Sequence, residues 1–240
     1  MFDCLYVNGD SWVYGSELID PVGDPHNHFS PEHDRYRTSF YWPRLVADRL
    51  GLELIDGSAP GSSNDRIVRT TVEDIGQLMI DGRKPLAVVA WSQLHRFELP
   101  KGNLYTSYVS PNDSDLPNCV KEIWKTYSSD RSDLYRWALQ VVLLNSFLKS
   151  NSVSYLATTV FKENYWMFEK VSEEKEFRPY LSQMISRGDL RRHLLNMSLS
   201  SVLKQYADVT YGPGGHPLEQ GHVYLADHIE THLRQRFNFN

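Results

Sequence analysis

Val7-Asn8-Gly9-Asp10-Ser11-Trp12-Val13-Tyr14-Gly15 continues the short apolar run Cys4-Leu5-Tyr6-Val7, and the join reads as a tight strand-to-helix turn. A brief apolar run bounded by turn residues is the pattern of a buried strand. Asn8-Gly9-Asp10 supplies the turn chemistry, with Gly9 able to take a positive φ. Ser11 then heads a helical segment, where free backbone N–H groups and the helix dipole favour a developing oxyanion. A serine so placed is a candidate nucleophile, with Asp10 and Trp12 as candidate lining residues beside it.

Working outward, strand-like and helix-like segments alternate. Thr38 to Leu50 has helical spacing and stops at Gly51, a C-cap signal. Leu52 to Ile55 reads as a second strand. The small-residue turn Asp56 to Arg66 then leads into an amphipathic helix carrying Ile67, Val68, Thr71, Ile75, Leu78 and Met79, with Ser62 or Ser63 as its N-cap. Leu86-Ala87-Val88-Val89-Ala90-Trp91 is a continuous apolar run, expected to be a central strand buried on both faces. The spacing from Leu134 to Leu148 marks a strong helix ending near Asn151, Val153 to Val160 a fourth strand, Leu190 to Tyr206 a further helix and Asp208-Val209-Thr210 a short last strand. Gly214-Gly215-His216-Pro217 opens the final helix, with Pro217 suited to its first turn. Such alternation implies one three-layer α/β/α domain over residues 1–240 with a mainly parallel sheet. Three stretches near 19–37, 99–118 and 161–188 read as loop or cap insertions.

A histidine at a strand-to-helix junction can stand beside the end of the first strand in such a sheet, and His216 is the candidate general base. The Gly9-Asp10-Ser11 block near the start and His216-Pro217 near the end resemble the SGNH (GDSL-type) hydrolases, a family of serine esterases. That resemblance implies a flavodoxin-like five-stranded sheet in the order 2-1-3-4-5, with Ser11 as nucleophile and His216 as base. It also implies that the N–H groups of Ser11 and Gly61 face the oxyanion. Where the family usually ends its third strand with Gly-x-Asn, this chain reads Trp91-Ser92-Gln93, so the side-chain donor is open between Gln93, Asn64, Ser92 and Arg96. The family's usual acid, three residues before the histidine, is Pro213 here. A backbone carbonyl, Glu219, Asp208 or an acid of the His-bearing loop could orient the imidazole instead, and a Ser-His dyad is the fallback. No cofactor or metal is implied.

Taken singly, these features have plain structural readings. Gly-Asp-Ser is ordinary turn chemistry, the serines at 62 and 63 are explained by capping, and Arg96 with Glu98 could be no more than a loop ion pair. It is their order along nearly the whole chain that points to a site. His26, His28 and His33 have no spacing that fits a helix face or a metal-ligand pattern, so a solvated lid is expected there.

The 240 residues carry a formal net charge of −5 with 41% hydrophobic residues. That balance gives no electrostatic reason to bind nucleic acid. Two cysteines are too few for a disulfide framework, and Cys4 reads as a small buried thiol. No apolar run approaches the roughly 18 residues of a membrane span, and Met1 leads almost directly into the first strand, so a cytoplasmic protein is expected. The sequence sets no oligomeric state. The leading expectation is an ester hydrolase acting on a small or glycan ester such as an O-acylated sugar. An acyltransferase using the same acyl-serine is one alternative. A catalytically silent module binding a glycan or protein partner through its Tyr- and Trp-bearing loops is the other.

Overall fold

Strand β1 (Cys4–Asn8) is buried along its whole length, as an unbroken apolar run must be when helices cover both faces of a parallel sheet. The computed structural model describes residues 2–19, 30–101, 104–108, 116–162, 195 and 197–239. In chain order, β1 is followed by α1 (Ser11–Tyr14), α2 (Pro31–Phe40), α3 (Trp42–Leu50), β2 (Glu53–Asp56), α4 (Asn64–Ile80) and β3 (Pro85–Trp91). A hairpin of β4 (Phe97–Lys101) and β5 (Leu104–Tyr108) comes next, then α5 (Asn118–Tyr127), α6 (Asp130–Ser150) and β6 (Ser154–Thr159). The described chain ends with α7 (Leu199–Leu203) and α8 (Glu219–Phe237).

The main sheet is parallel, in the order β2-β1-β3-β6. Cys4 faces both Glu53 and Pro85 in register, and Leu86 faces Ser154. Because side chains alternate across a strand, β1 divides its residues between two cores. Cys4 and Tyr6 pack with Ile67 and Ile75 of α4 and Trp137 and Leu144 of α6. Leu5 and Val7 pack with Val46 of α3, Val202 of α7 and Leu225 and Ile229 of α8. Each such fully buried aliphatic side chain contributes about 1.5–3 kcal/mol. Here are the three layers expected from the alternation.

Among the described residues the main sheet has four strands. The fifth, expected at Asp208 to Thr210, is turn and coil, and the nearby Tyr211 forms only a single antiparallel bridge with Pro217. Pro217 therefore sits before α8, whose N-cap is Leu218. Two insertions also carry regular structure. Phe97–Lys101 and Leu104–Tyr108 pair as the β4–β5 hairpin, and residues 31–40, expected as loop as far as Arg37, form α2. In α2, Ser30 caps the helix by accepting from the N–H of His33, Pro31 sits in the first turn, and Glu32 and Asp34 face the helix's positive end. His33 is buried in that helix rather than part of a solvated lid, while His26 and His28 lie outside the described residues. So does nearly all of the 161–188 stretch.

Both cysteines are free, Cys4 buried and Cys119 exposed. No described helix is long and apolar enough to cross a membrane.

Candidate active site

In this sheet the chain leaves β1 to pair β2 on one side and β3 on the other, so the strand order reverses between β1 and β3. The crevice outside the carboxyl ends at such a switch point is where open α/β sheets bind ligands. Gly9-Asp10-Ser11 and Ser92-Gln93 face that crevice from its two sides, each following directly on its strand.

Asn8 anchors the end of β1. Its Nδ2 lies 2.8 Å from Thr70 Oγ1, 3.0 Å from Thr71 Oγ1 and 2.9 Å from Tyr6 Oη, and Oδ1 accepts from the Gly9 N–H at 2.8 Å. Gly9 is not among the residues of positive φ. What requires glycine there is space, since a Cβ would stand 2.3 Å from Val13 Cγ2 and 3.1 Å from the Ala90 carbonyl.

Asp10 has no exposed surface. Its Oδ1 accepts from the Trp12 N–H at 3.1 Å as the cap of α1, and Oδ2 accepts from Ser92 Oγ at 2.7 Å and Arg96 Nη1 at 3.1 Å. One carboxylate thus ties the turn after β1 to the turn after β3. Arg96 Nη1 also donates to Ser92 Oγ at 2.8 Å and reaches the Ser62 carbonyl at 3.4 Å. The expected Arg96–Glu98 pair does not form: Glu98 instead accepts from Nε and Nη2 of Arg69, at 2.9 and 2.8 Å.

Asn64, the first residue of α4, holds the same turn. It accepts from the Ser92 N–H at 2.8 Å and directs Nδ2 at the carbonyls of Ser92 and Gln93, at 3.2 and 3.3 Å. Both ends of that amide are engaged with backbone. The half-buried Gln93 side chain makes no hydrogen bond among the described residues. Gly61 sits in the turn before α4 with φ +71°, a conformation open mainly to glycine.

Ser11 is 7% exposed, and α1 closes behind it through the N–H groups of Gly15 and Ser16, which donate to its carbonyl at 3.1 and 2.9 Å. Arg37 locks the same turn, donating from Nη1 to the Tyr14 carbonyl at 2.7 Å with its guanidinium 3.8 Å from the Tyr14 ring centre. Glu17 follows at once, with φ +70°. For a side chain larger than Asn or Asp that backbone is strained by about 1–2 kcal/mol and persists only where its surroundings dictate it.

Those surroundings are the His216 loop. Glu17 Oε1 accepts from the Gly214 N–H at 2.7 Å, and Oε2 accepts from the His216 N–H at 3.1 Å and lies 2.8 Å from His216 Nδ1. The loop is folded on itself by Gly215 N–H to Gly212 O and Gly212 N–H to His216 O, both 2.9 Å. The glycines let it approach Glu17 closely: a Cβ at residue 212 would stand 2.7 Å from the carboxyl carbon, so that Glu17 would have to shift, and one at 214 would press on Oε1 at 3.2 Å. Burial alone would raise the Glu17 carboxyl, but the Gly214 and His216 N–H groups and the His216 ring outweigh it and hold it below the usual range. The rings of Trp12 and Tyr211, 6.4 Å apart, pack the two segments together. No hydrogen bond joins Ser11 Oγ to the His216 ring among the described residues.

Glu17 is the residue that sequence reasoning missed. Of the acids weighed for His216, Glu219 instead accepts from Tyr36 Oη at 2.5 Å and Asp208 from Tyr224 Oη at 2.7 Å. The signal available was a carboxylate six residues after the serine, but nothing in its spacing marked it. Among the described residues, no group of three or more His, Cys, Asp or Glu is placed to hold a metal ion. Behind the loop, His222 is fully buried and accepts from the Trp42 N–H at Nδ1, 3.3 Å. Burial, then the neighbouring His216, pushes it down to about 3.

The fold is shared with esterases of known structure. A carbohydrate esterase, described as having an active site with divergent catalytic and non-catalytic binding functions, superposes with a TM-score of 0.56 at 13% identity over 99% of this chain and 66% of its own. The acetyl xylan esterase Est2A of the rumen bacterium Butyrivibrio proteoclasticus gives 0.59 at 11% identity, over 100% and 66%. The psychrotrophic esterase EstA of Pseudoalteromonas sp., in a structure inhibited by monoethylphosphonate, gives 0.51 at 11%, over 98% and 99%. This chain thus spans just under two thirds of the length of the first two. At such identities the likeness is one of fold. No curated protein matches the sequence. Residues 24–239 match the family described as a family of unknown function (DUF6071), a span that begins after Ser11 and Glu17. By that match over most of its length, the chain belongs to this family of unknown function.

Proposed function

We propose that the protein is a serine ester hydrolase with Ser11 as nucleophile and His216 as general base. The observation that carries this reading is the meeting of two distant segments at the sheet's switch point. Ser11 heads the turn directly after β1, and the His216 loop is bound to the end of that same turn through Glu17. A buried polar cradle of Asp10, Ser92, Arg96 and Asn64 fixes the turn, and fixed geometry is what converts a serine and a histidine into a reacting pair. The shared fold with esterases agrees with this chemistry.

In this reading Ser11 Oγ attacks an ester carbonyl as its proton passes to His216 Nε2, and the new Oγ–C bond leaves a tetrahedral oxyanion. The N–H groups of Ser11 and Gly61 face that oxygen. Gln93, whose amide is uncommitted among the described residues, is the side-chain donor left available, since the Asn64 amide is engaged with backbone. Collapse breaks the C–O bond of the alcohol, which leaves with the proton from His216. Water then enters and attacks the acyl carbon as it gives a proton to His216; the Oγ–C bond breaks, Ser11 Oγ takes that proton back from His216, and the acid is released, while an alcohol in place of water makes the same enzyme an acyltransferase. The substrate is a carboxylic ester, an O-acylated sugar being the form that suits a crevice bordered by polar turns and by Trp12 and Tyr211.

The test is hydrolysis of p-nitrophenyl acetate by the wild type beside Ser11→Ala and His216→Ala, with labelling by a fluorophosphonate. Turnover and labelling in the wild type, both abolished by Ser11→Ala, are the expected result. A wild type no faster than Ser11→Ala on acetate and longer acyl esters, and unlabelled, overturns it in favour of a binding module.

A further inference from the structure

We infer that Glu17 is the acid that orients His216, so that nucleophile and positioning acid lie on one short turn, six residues apart. This rests on the hydrolase reading above and adds to it the residue that makes the histidine a base.

A carboxylate only accepts, and Glu17 is held ionised, so the 2.8 Å contact from His216 Nδ1 fixes the ring's proton on Nδ1. Nε2 is then left bare to receive the serine proton, which is the task of the acid in a serine triad. As the proton moves, the imidazole becomes imidazolium beside a full negative charge, and the pair returns to its starting state when the leaving alcohol takes that proton away. Glu17 gains and loses no proton itself.

Three features separate this contact from a chance surface pair. The carboxylate is fully engaged, with Oε1 on the Gly214 N–H and Oε2 on the His216 N–H and ring. The loop opposite keeps glycine at 212, where a Cβ would stand 2.7 Å from the carboxyl carbon, and at 214, where one would press on Oε1 at 3.2 Å. The Glu17 backbone holds φ +70°, a conformation glutamate adopts only under constraint. The acid is also rigidly coupled to the serine, because the N–H groups of Gly15 and Ser16 both close on the Ser11 carbonyl.

Glu17→Gln is the decisive variant, because both carboxylate oxygens accept and an amide has only one acceptor. Whichever way the amide turns, one N–H of the loop meets another N–H, and with the amide nitrogen toward His216 the ring takes the unproductive tautomer. With p-nitrophenyl acetate, kcat is expected to fall about 10²–10⁴-fold with KM little changed, as for loss of the correct hydrogen bond in a serine triad. Glu17→Asp, keeping the charge, is expected to recover at least about tenfold of that loss. Proton NMR supplies a readout that a purely structural role would not move: a far-downfield His216 Nδ1–H resonance, present in the wild type, absent in His216→Ala and lost or shifted upfield in Glu17→Gln. A Glu17→Gln enzyme within about threefold of wild-type kcat overturns the inference while leaving the hydrolase reading in place. If the wild type shows no turnover, the hydrolase reading fails and the resonance decides alone: its persistence unchanged in Glu17→Gln overturns the orienting contact as well. Should Glu17→Gln lose its cooperative thermal transition, Glu17→Asp carries the test through its kcat and the same resonance.

Discussion

Asp10 and Arg96 form a pair with almost no access to water, the carboxylate at 0% and the guanidinium side chain at 12% exposure. Removing one partner of such a pair strands the other, which costs far more than the pair itself contributes. Asp10→Ala is expected to destabilise the protein by about 3–5 kcal/mol, with the lost cap of α1 included in that figure. Arg96→Met removes the stranded charge, so the double variant should lose clearly less than the two single losses added together. Urea denaturation of the four proteins measures this, and strictly additive losses would show that Asp10 does not act through Arg96. The same residue marks what the sequence could tell. Asp10 beside Ser11 was legible as part of a site, but Arg96 read equally well as a partner for Glu98, because the choice depends on α4 bringing Arg69 to Glu98. In the sequence, Asn64 is one of four side chains open to the role of oxyanion donor. Only the fold reveals that its amide clamps the turn after β3.

At the scale of elements, the strands of the main sheet were legible because each is a short run with apolar side chains meeting helices on both faces. What escaped were elements whose sequence carries no such stripe. In α2, His33 is the one buried residue, so its helical signal lay wholly in Ser30, Pro31 and the acidic first turn, which the surrounding Pro- and His-bearing stretch obscured. The β4–β5 hairpin, with Pro100 inside a strand, has the composition of a loop and is held instead by pairing and by the Arg69–Glu98 contact to α4. The His216 loop carries the proposed base, and its glycines are not equivalent. Gly215 has φ +79° with nothing within 4 Å of an added Cβ, whereas an added Cβ at Gly212 meets the Glu17 carboxyl at 2.7 Å. Gly215→Ala is therefore expected to cost about 1–2 kcal/mol of backbone strain. Gly212→Ala should displace Glu17 from the imidazole and slow ester turnover by about 10²-fold, the scale set by a misplacement near 1 Å. Thermal melts and kinetics on the two variants test this together. A slower Gly215→Ala enzyme would mean that loop strain, not the fit to Glu17, governs the site.

Across the whole molecule, the candidate site forms where the segment after β1 meets the loop before α8. α8 packs beside α3 and against the β1 side of the sheet, and His222, in its first turn, is sealed between the His216 loop and the start of α3. A titratable ring in that position links the closure to pH. Its folded pKa is depressed from 6.5 to about 3, so between those values the unfolded chain binds a proton that the folded chain refuses. By linkage, stability then rises with pH over this window and falls as the solution is acidified. From about pH 7.5 to about pH 5 the loss due to His222 comes to about 2 kcal/mol. His228, pushed down to about 4 by burial and then by His232, acts in the same direction but is common to the comparison. Accordingly, His222→Asn, which keeps an acceptor available to the Trp42 N–H but does not titrate, should be less stable than the wild type at neutral pH and lose about 2 kcal/mol less on acidification. Urea denaturation of both proteins at the two pH values decides the matter. An equal pH dependence in the two would mean that acid opens the protein elsewhere, and that the joint between α8 and α3 is held by its apolar packing alone.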